Sequence, residues 1–352
     1  MKKPTMSSVL AILVAALMVG SCSTRTFKES KTSERDEAYD TEFPSRPDSK
    51  ELQSISQSVC TITCIGSYKV FPFDDTERVV RSDVNDLLLQ RKSASAYFSD
   101  NSVRGTATVI TNDGTRIGFL TCAHVVEFPD TAIEFRTEPD GRATKYIRSV
   151  DVKMKQFNFI SPFPEDGSVE IITLDREKDL AVVGKMLQTE LGRGFPPIHY
   201  SLGHADELGW GTFVYVFSYP AGIKMVTSAI VSSPRKDAAG TFYIDGVLSP
   251  GTSGGIVLAL RNGVPNFEIV GIVRVVPARI TYFLAPGDSV AKEYDEHAPY
   301  TGSAFVRKRT DLETGVTKCI PAEVVRSFLE QHKEQMAKVG YDCSDFLKSK
   351  GN

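Results

Sequence analysis

Short apolar runs, separated by glycine, proline and polar residues, dominate the middle of this 352-residue chain. The runs at residues 117–122, 180–183 and 212–217 are rich in Val, Leu, Phe and Tyr, and their length is typical of buried strands. Helical periodicity is confined to short stretches, including one at residues 84–88 inside an inserted segment, residues 68–104. The pattern predicts a mostly β fold with minor helices.

A helix is predicted near the C-terminus. Pro321 suits the first turn of a helix, because its missing N–H would have no partner there. The residues that follow it place an apolar face on one side of the helix at Val324, Val325, Phe328 and Leu329.

Three residues with catalytic potential stand at the edges of apolar runs. His124 follows the run at 117–122, Asp179 precedes the run at 180–183, and Ser253 lies between glycines in a turn. A serine hydroxyl needs a base to take its proton, and the base needs a third group to hold its tautomer. We therefore predict Ser253 as nucleophile, His124 as base and Asp179 as the orienting carboxylate. The amides of Gly251 and Ser253 are predicted to form an oxyanion hole.

Four segments in one order resemble those of trypsin-like serine peptidases, and the bacterial Do/HtrA-like branch in particular. They are TCAHVV at 121–126, DLAVV at 179–183, GTFVYVFSYP at 211–220 and DGVLSPGTSGGIVL at 245–258. The resemblance covers roughly residues 55–335 and implies an all-β fold of two β-barrels with minor helices. The implied first barrel spans about 55–187, the second about 205–320, the C-terminal helix about 321–335 and a tail 336–352. Too little chain follows for a PDZ domain.

The resemblance also implies an activity and a specificity. It implies a serine endopeptidase that cleaves proteins or peptides without a cofactor. It places Val247 on the floor of the specificity pocket and Val276 on its wall, with Leu248 and Val275 beside them. A neutral, narrow pocket implies cleavage after small aliphatic residues, because a buried cationic side chain would have no partner there.

Arg274 departs from the family pattern. The alignment places its guanidinium near Asp179, where it would stabilise the negative charge and compete with His124 for the carboxylate. An alternative from another class therefore stays open: a binding or scaffold lipoprotein that keeps the peptidase fold with little or no turnover.

The N-terminus has the pattern of a secretory signal. Two lysines precede eleven apolar residues at 9–19, a run too short to span a bilayer. The sequence Val-Gly-Ser-Cys that ends at Cys22 resembles a bacterial lipobox, which implies removal of residues 1–21 and acylation of Cys22. Ser23 resembles the sorting pattern for the outer membrane. The implied location is the bacterial cell envelope, on the periplasmic or the surface side of that membrane. An ordinary signal peptide with an unrelated cysteine is the alternative.

Residues 22–54 are predicted to tether the peptidase domain to the lipid. Residues 23–54 are rich in Ser, Thr, Lys, Glu and Asp and have almost no aliphatic residues, so they cannot bury enough surface to fold. A flexible segment of this length averages about 30 Å from end to end. The membrane is thus an expected partner through the N-terminal lipid.

The charge and the Cys and His residues bear on nucleic-acid binding, disulfide bonds and metal sites. A net charge of −3 with scattered basic residues gives no case for nucleic-acid binding.

Cys60 and Cys64, about 13 Å apart if they share a strand, are too distant to form a disulfide. A pair such as Cys319–Cys343 and buried free thiols remain equal alternatives. No metal site is expected, since His199 and His204 lack the context of known ligand motifs.

Overall fold

Fifteen strands, five α-helices and three short 3-10 helices account for the regular structure in the part of the chain that the computed structural model describes. The described residues are 38–44, 49–138, 143–163, 166–189, 194–235, 237–246, 249–275, 278–286, 297, 299, 301–312 and 315–348. The helices are α1 (Ser49–Gln57), α2 (Asp86–Arg91), α3 (Ala123–Val126), α4 (Ala322–Lys338) and α5 (Ser344–Leu347).

The strands fall into three sheets. Those of the first sheet are β1 (Val59–Pro72), β2 (Tyr97–Asn112), β3 (Arg116–Thr121), β4 (Thr131–Thr137), β5 (Ala143–Ser161), β6 (Glu170–Asp175) and β7 (Leu180–Met186). The second sheet contains β8 (Phe213–Ser218), β9 (Met225–Ser233), β10 (Phe242–Ile244), β11 (Ile256–Leu260), β12 (Phe267–Val275) and β15 (Thr317–Pro321). The third is a ribbon of β13 (Ala278–Pro286) and β14 (Ala304–Leu312).

The first sheet curls into an incomplete barrel. Its strands are antiparallel in the order β4-β5-β1-β2-β3-β7-β6. A bridge between Phe159, on β5, and Ser168, just before β6, joins the two sides of the sheet. Strand β1 alternates between buried and half-buried residues, with Cys60, Ile62 and Cys64 inside. This period of two places one face of the strand in the core.

The second sheet closes fully, in the order β10-β15-β12-β11-β8-β9. The following side chains fill its interior: Val214, Val216, Val231, Ile244, Val257 and Val270. β-Branched residues suit such positions because they pack well on a pleated surface. Together the two sheets confirm the predicted fold class, an all-β fold of two chymotrypsin-like barrels with minor helices.

The C-terminal helix α4 follows Pro321, as predicted, and runs three residues beyond the predicted end at 335. Val325, Phe328, Leu329 and Met336 form its buried face, which packs against β6, β12 and β15. The predicted tail beyond it also contributes to the core, because Tyr341, Cys343 and Phe346 are buried.

The prediction of a flexible tether through residue 54 is wrong for residues 38–44 and 49–54. Tyr39 is buried; its hydroxyl donates to Glu268 at 2.6 Å and accepts from the His204 amide at 2.9 Å. Helix α1 begins at Ser49 and buries Ile55. Averaged composition hid these few anchoring side chains. The rest of the predicted tether, residues 22–37 and 45–48, lies outside the described residues.

The five cysteines that the structure describes, Cys60, Cys64, Cys122, Cys319 and Cys343, are unpaired and buried. Free thiols therefore replace the alternative Cys319–Cys343 disulfide. Burial raises the pKa of both the Cys60 and Cys64 thiols to about 12, so they remain protonated at neutral pH. Within the described ranges, no helix is both long and apolar enough to cross a membrane.

Candidate active site

Strand pairing between β3 and β7 brings His124 and Asp179 together. Thr121, the last residue of β3, pairs with Ala181 near the start of β7. His124 comes three residues after Thr121, on the single-turn helix α3, and Asp179 comes two residues before Ala181. Buried Val125 and Val126 fix α3 against the first barrel. Residues 55 positions apart in sequence thus meet at one edge of this sheet.

The Asp179 carboxylate receives two hydrogen bonds from His124. The ring Nδ1 lies 3.0 Å from Oδ1 and 2.9 Å from Oδ2, and the backbone N–H of His124 donates to Oδ1 at 3.0 Å. A carboxylate beside Nδ1 favours the tautomer that carries its proton on Nδ1. The neutral ring then presents Nε2 as a proton acceptor.

The backbone of Asp179 is left-handed, with φ 57°. Aspartate tolerates this conformation better than most residues with a side chain. The Asp179 carbonyl also accepts the Ala123 N–H at 3.1 Å, so main chain and side chain both hold the residue against α3. This tight turn between β6 and β7 fixes the carboxylate in place.

Arg274 is a third partner of the same carboxylate. Its Nε donates to Asp179 Oδ2 at 2.9 Å, as the alignment predicted. Burial alone would raise the pKa of the Asp179 carboxyl. The hydrogen bonds and charge of His124, together with the hydrogen bond from Arg274, outweigh burial and hold this pKa below its ordinary value. Asp179 is therefore ionised at neutral pH.

Ser253 lies in the turn that leads into β11, and Gly251 shapes that turn. Gly251 has φ 103°, and a Cβ atom there would lie 2.4 Å from the Tyr219 carbonyl oxygen. Only glycine fits such a position without a backbone shift. Neither the Gly251 N–H nor the Ser253 N–H donates to a described residue. Both amides are thus available to a substrate oxygen.

Thr106, on β2 of the first barrel, holds this turn in place, and the sequence analysis missed it. Its hydroxyl donates to the Gly251 carbonyl at 2.8 Å, and its N–H donates to the Ser253 carbonyl at 2.7 Å. Neighbouring Gly105 has no room for a side chain, since a Cβ would lie 2.7 Å from Val125. A glycine inside a strand often marks such a close approach, and it is the signal that could have drawn attention here.

The hydrogen-bond partner of the Ser253 hydroxyl is a residue other than the proposed base. It donates to the main-chain carbonyl of Arg274 at 2.9 Å. Among the described hydrogen bonds, none joins Ser253 Oγ to the His124 ring. The structure therefore pairs His124 with Asp179 and places Arg274 in contact with both Asp179 and Ser253.

Several predicted site residues lie outside the described part of the chain. Val247, Leu248 and Val276 are among them, as is the proposed lipidation residue Cys22. Val275 ends β12, but its side chain is not described. The predicted specificity pocket thus remains an expectation from the alignment.

Two groups of described residues bring three metal-ligand atoms within 4.8 Å of one another. In the first, Cys122, His124 and Asp179, burial raises the pKa of the Cys122 thiol, which donates to the Val273 carbonyl. A protonated thiol and a carboxylate already paired with Arg274 are poor metal ligands. The second group, His204, Asp206 and Glu323, lies at the surface, where Arg235 faces Asp206 at 3.7 Å.

Comparison with known proteins points to one family. Residues 105–272 match the model of the family described as "Trypsin-like peptidase domain". This segment includes His124, Asp179 and Ser253, and it is similar to a trypsin-like peptidase domain. A comparison with curated proteins finds no significant match.

Similar solved structures include two described as proteases or Deg proteins. One is "Crystal structure of Rv3671c protease, inactive form", 16% identical, with TM-score 0.36, covering 85% of this chain and 98% of that chain. Another is "Crystal structure of Deg5", also 16% identical, with TM-score 0.34, covering 66% of this chain and 88% of that chain.

Proposed function

We propose that this trypsin-like peptidase domain is a serine endopeptidase. The observation that carries the proposal is the contact between His124 Nδ1 and Asp179 Oδ2 at 2.9 Å, inside the matched domain. An ionised carboxylate that holds a histidine tautomer is the arrangement that prepares a general base. Ser253, on a glycine turn with two available amides, supplies the nucleophile.

Catalysis begins when the Ser253 hydroxyl turns from the Arg274 carbonyl to His124 Nε2. As Oγ attacks the substrate carbonyl carbon, its proton passes to Nε2, and the Gly251 and Ser253 amides bind the oxyanion. His124 then gives this proton to the leaving amine, and the C–N bond breaks to leave an acyl-enzyme. A water molecule, deprotonated by His124, releases the acyl group and restores Ser253.

Arg274 has two opposed effects on this chemistry. Its charge helps to keep Asp179 ionised, which favours the imidazolium that forms during attack. The same hydrogen bond occupies Oδ2, one of the two oxygens that face His124 Nδ1. We therefore expect Arg274 to slow turnover without abolishing it, because Oδ1 still faces Nδ1 at 3.0 Å.

The location and the specificity are further parts of the proposal. The lipobox-like sequence at Cys22 supports a lipid-anchored protein of the bacterial cell envelope that acts near the membrane. By the alignment, Val247 and Val276 make a narrow neutral pocket that favours cleavage after Ala or Val.

A library of fluorogenic peptides tests the activity. We expect the purified chain to cleave peptides with Ala or Val before the cut and the Ser253→Ala variant to cleave none. Activity that survives in Ser253→Ala contradicts Ser253 as nucleophile. A preference for Arg, Lys or Phe before the cut contradicts the pocket assignment and leaves the three catalytic roles intact.

A second candidate function is a binding or scaffold protein without turnover. The observation that favours it is the Ser253 hydroxyl, which donates to the Arg274 carbonyl in place of the His124 ring. If this arrangement persists when substrate binds, Ser253 cannot be deprotonated. The candidate predicts that peptides bind in the cleft with equal affinity to the wild-type chain and to Ser253→Ala, and that neither protein cleaves them.

A further inference from the structure

Arg274 uses only part of its hydrogen-bonding capacity. Its guanidinium offers five N–H donors on three nitrogens, and the Nε–H is bound to Asp179. The terminal nitrogens Nη1 and Nη2 make no hydrogen bond or ion pair with any described residue. Among the described residues, the buried side-chain atoms that lack a partner are Thr108 Oγ1, Arg136 Nε and Ser218 Oγ. Neither terminal nitrogen of Arg274 is among them. Solvent therefore reaches both nitrogens.

These free donors lie beside the reacting groups. The Arg274 carbonyl accepts the Ser253 hydroxyl at 2.9 Å, and its guanidinium contacts the carboxylate that also binds His124. One third of the Arg274 side chain is exposed, whereas only 9% of the Asp179 side chain is. A peptide lying across Ser253 thus passes within reach of an exposed, permanently charged, planar donor group.

We propose that Arg274 binds a carboxylate of the substrate and selects an acidic residue close to the scissile bond. The inference rests on the proposed function in taking the cleft at Ser253 as the peptide-binding site. A carboxylate accepts two parallel N–H bonds from Nη1 and Nη2, a geometry that guanidinium fits and ammonium does not. The substrate class is therefore peptides with Asp or Glu on either side of the bond, next to the small aliphatic residue.

Binding a substrate carboxylate is a different role from neutralising Asp179 inside the protein. An arginine present only to neutralise Asp179 needs the Nε contact and gains nothing from exposed terminal nitrogens. Their attraction for a second carboxylate acts in a partly solvated cleft, so it is moderate and weakens with salt. We expect a preference of about tenfold for an acidic residue over its amide.

Binding to the Ser253→Ala variant tests the proposal without requiring turnover. The probes are matched pairs of short peptides that differ at one position, glutamate in one and glutamine in the other, scanned on both sides of an Ala or Val. Calorimetry should show about tenfold tighter binding of the glutamate peptide at one position. The preference should vanish in the Ser253→Ala/Arg274→Gln double variant. In the Ser253→Ala variant, which keeps Arg274, it should become smaller at high salt.

Matched controls keep the outcome clear. Ser253→Ala/Arg274→Lys retains the charge without the planar fork and should keep only part of the preference, even if the glutamine variant fails to fold. Equal binding of every pair, an undiminished preference without the arginine, or no binding of either peptide overturns the proposal.

Turnover measured on the wild-type chain is a separate readout. Cleavage without acid preference refutes this inference alone, and acid-selective binding without cleavage refutes the proposed function alone.

Discussion

The carboxylate of Asp179 is the common hydrogen-bond acceptor of the polar groups at the candidate site. It accepts from the His124 ring, the His124 amide and Arg274 while its side chain is almost fully buried. The family-like segments around His124 and Asp179 predicted the approach of these two side chains, which the structure places 2.9 Å apart. The partner of the Ser253 hydroxyl was not predictable, because it depends on a side-chain rotamer that costs little to change.

The lowered pKa of Asp179 makes the stability of the protein depend on pH. A carboxyl whose pKa is lower in the folded chain contributes stability above its unfolded pKa, about 3.9, and loses it as the pH falls through the folded value. Asp179→Asn should reduce the free energy of unfolding by about 3 kcal/mol at pH 7, since it leaves Arg274 without its partner. The difference from wild type should narrow towards pH 3 in urea titrations. Glu330→Gln, which changes an exposed carboxylate on α4 that makes no described ion pair, is the control. A difference that stays constant with pH would contradict the ionised Asp179.

Gly251 tests the oxyanion hole at the same scale. Gly251→Ala places a Cβ 2.4 Å from the Tyr219 carbonyl oxygen, so the backbone must shift and the Gly251 amide must move. We expect turnover to fall roughly 100-fold, the usual cost of losing one oxyanion donor. Gly211→Ala is the matched control: Gly211 also has a positive φ, 81°, but nothing lies within 4 Å of its added Cβ. That change should cost about 1 kcal/mol of stability and leave turnover unchanged. Equal losses of turnover in the two variants would contradict the role of the Gly251 amide in the oxyanion hole.

At the scale of elements, periodicity predicted more than composition did. Strands β3, β7 and β8 and helix α4 were visible as apolar runs or as an amphipathic pattern, because each buries one continuous face. The segment before α1 was not visible, because Tyr39 and a few neighbours anchor it through isolated contacts. Averaging over thirty-two residues concealed those contacts. Thr106 was also missed, since a threonine in a strand is common, and the only local signal of its role is the neighbouring Gly105.

The Tyr39 hydroxyl tests whether the N-terminal segment belongs to the folded domain. Tyr39→Phe removes the bond to Glu268 and leaves the His204 amide without its acceptor. We expect a loss of about 1–2 kcal/mol in the free energy of unfolding, measured in urea. Tyr97→Phe alters a tyrosine that is mostly exposed and should have little effect. If the two variants are equally stable, the segment that contains Tyr39 does not contribute to the folded domain, and the prediction of a flexible tether would hold as far as residue 48.

At the scale of the whole molecule, the barrels place both halves of the site at one boundary. The first barrel supplies His124, Asp179 and Thr106, while the second supplies Gly251, Ser253 and Arg274. The two-barrel fold was predictable because four family-like segments occur in one order. The ribbon of β13 and β14 was not, since it has no counterpart in those segments. An insertion at residues 68–104 was predicted, but the extension of β1 and β2 into it was not.

The proposed lipid anchor makes a prediction for the whole chain in its cell. The wild-type protein should partition into the detergent phase and incorporate labelled fatty acid at Cys22, because multiple acyl chains anchor firmly. Cys22→Ala should lose the label and the processing that depends on it, whereas Cys60→Ala should keep both. A mature chain that mass spectrometry shows to begin elsewhere, without lipid, would refute the anchor.

The most direct measurement of the central claim is labelling by a fluorophosphonate probe, which reacts preferentially with an activated serine. We expect the wild-type chain to be labelled at Ser253 by mass spectrometry. Ser253→Ala should show no label, with a thermal midpoint close to wild type, because the hydroxyl serves chemistry and not packing. His124→Ala should also show none, since its loss removes the base. An unlabelled wild-type chain, or a label on another residue, would contradict the account.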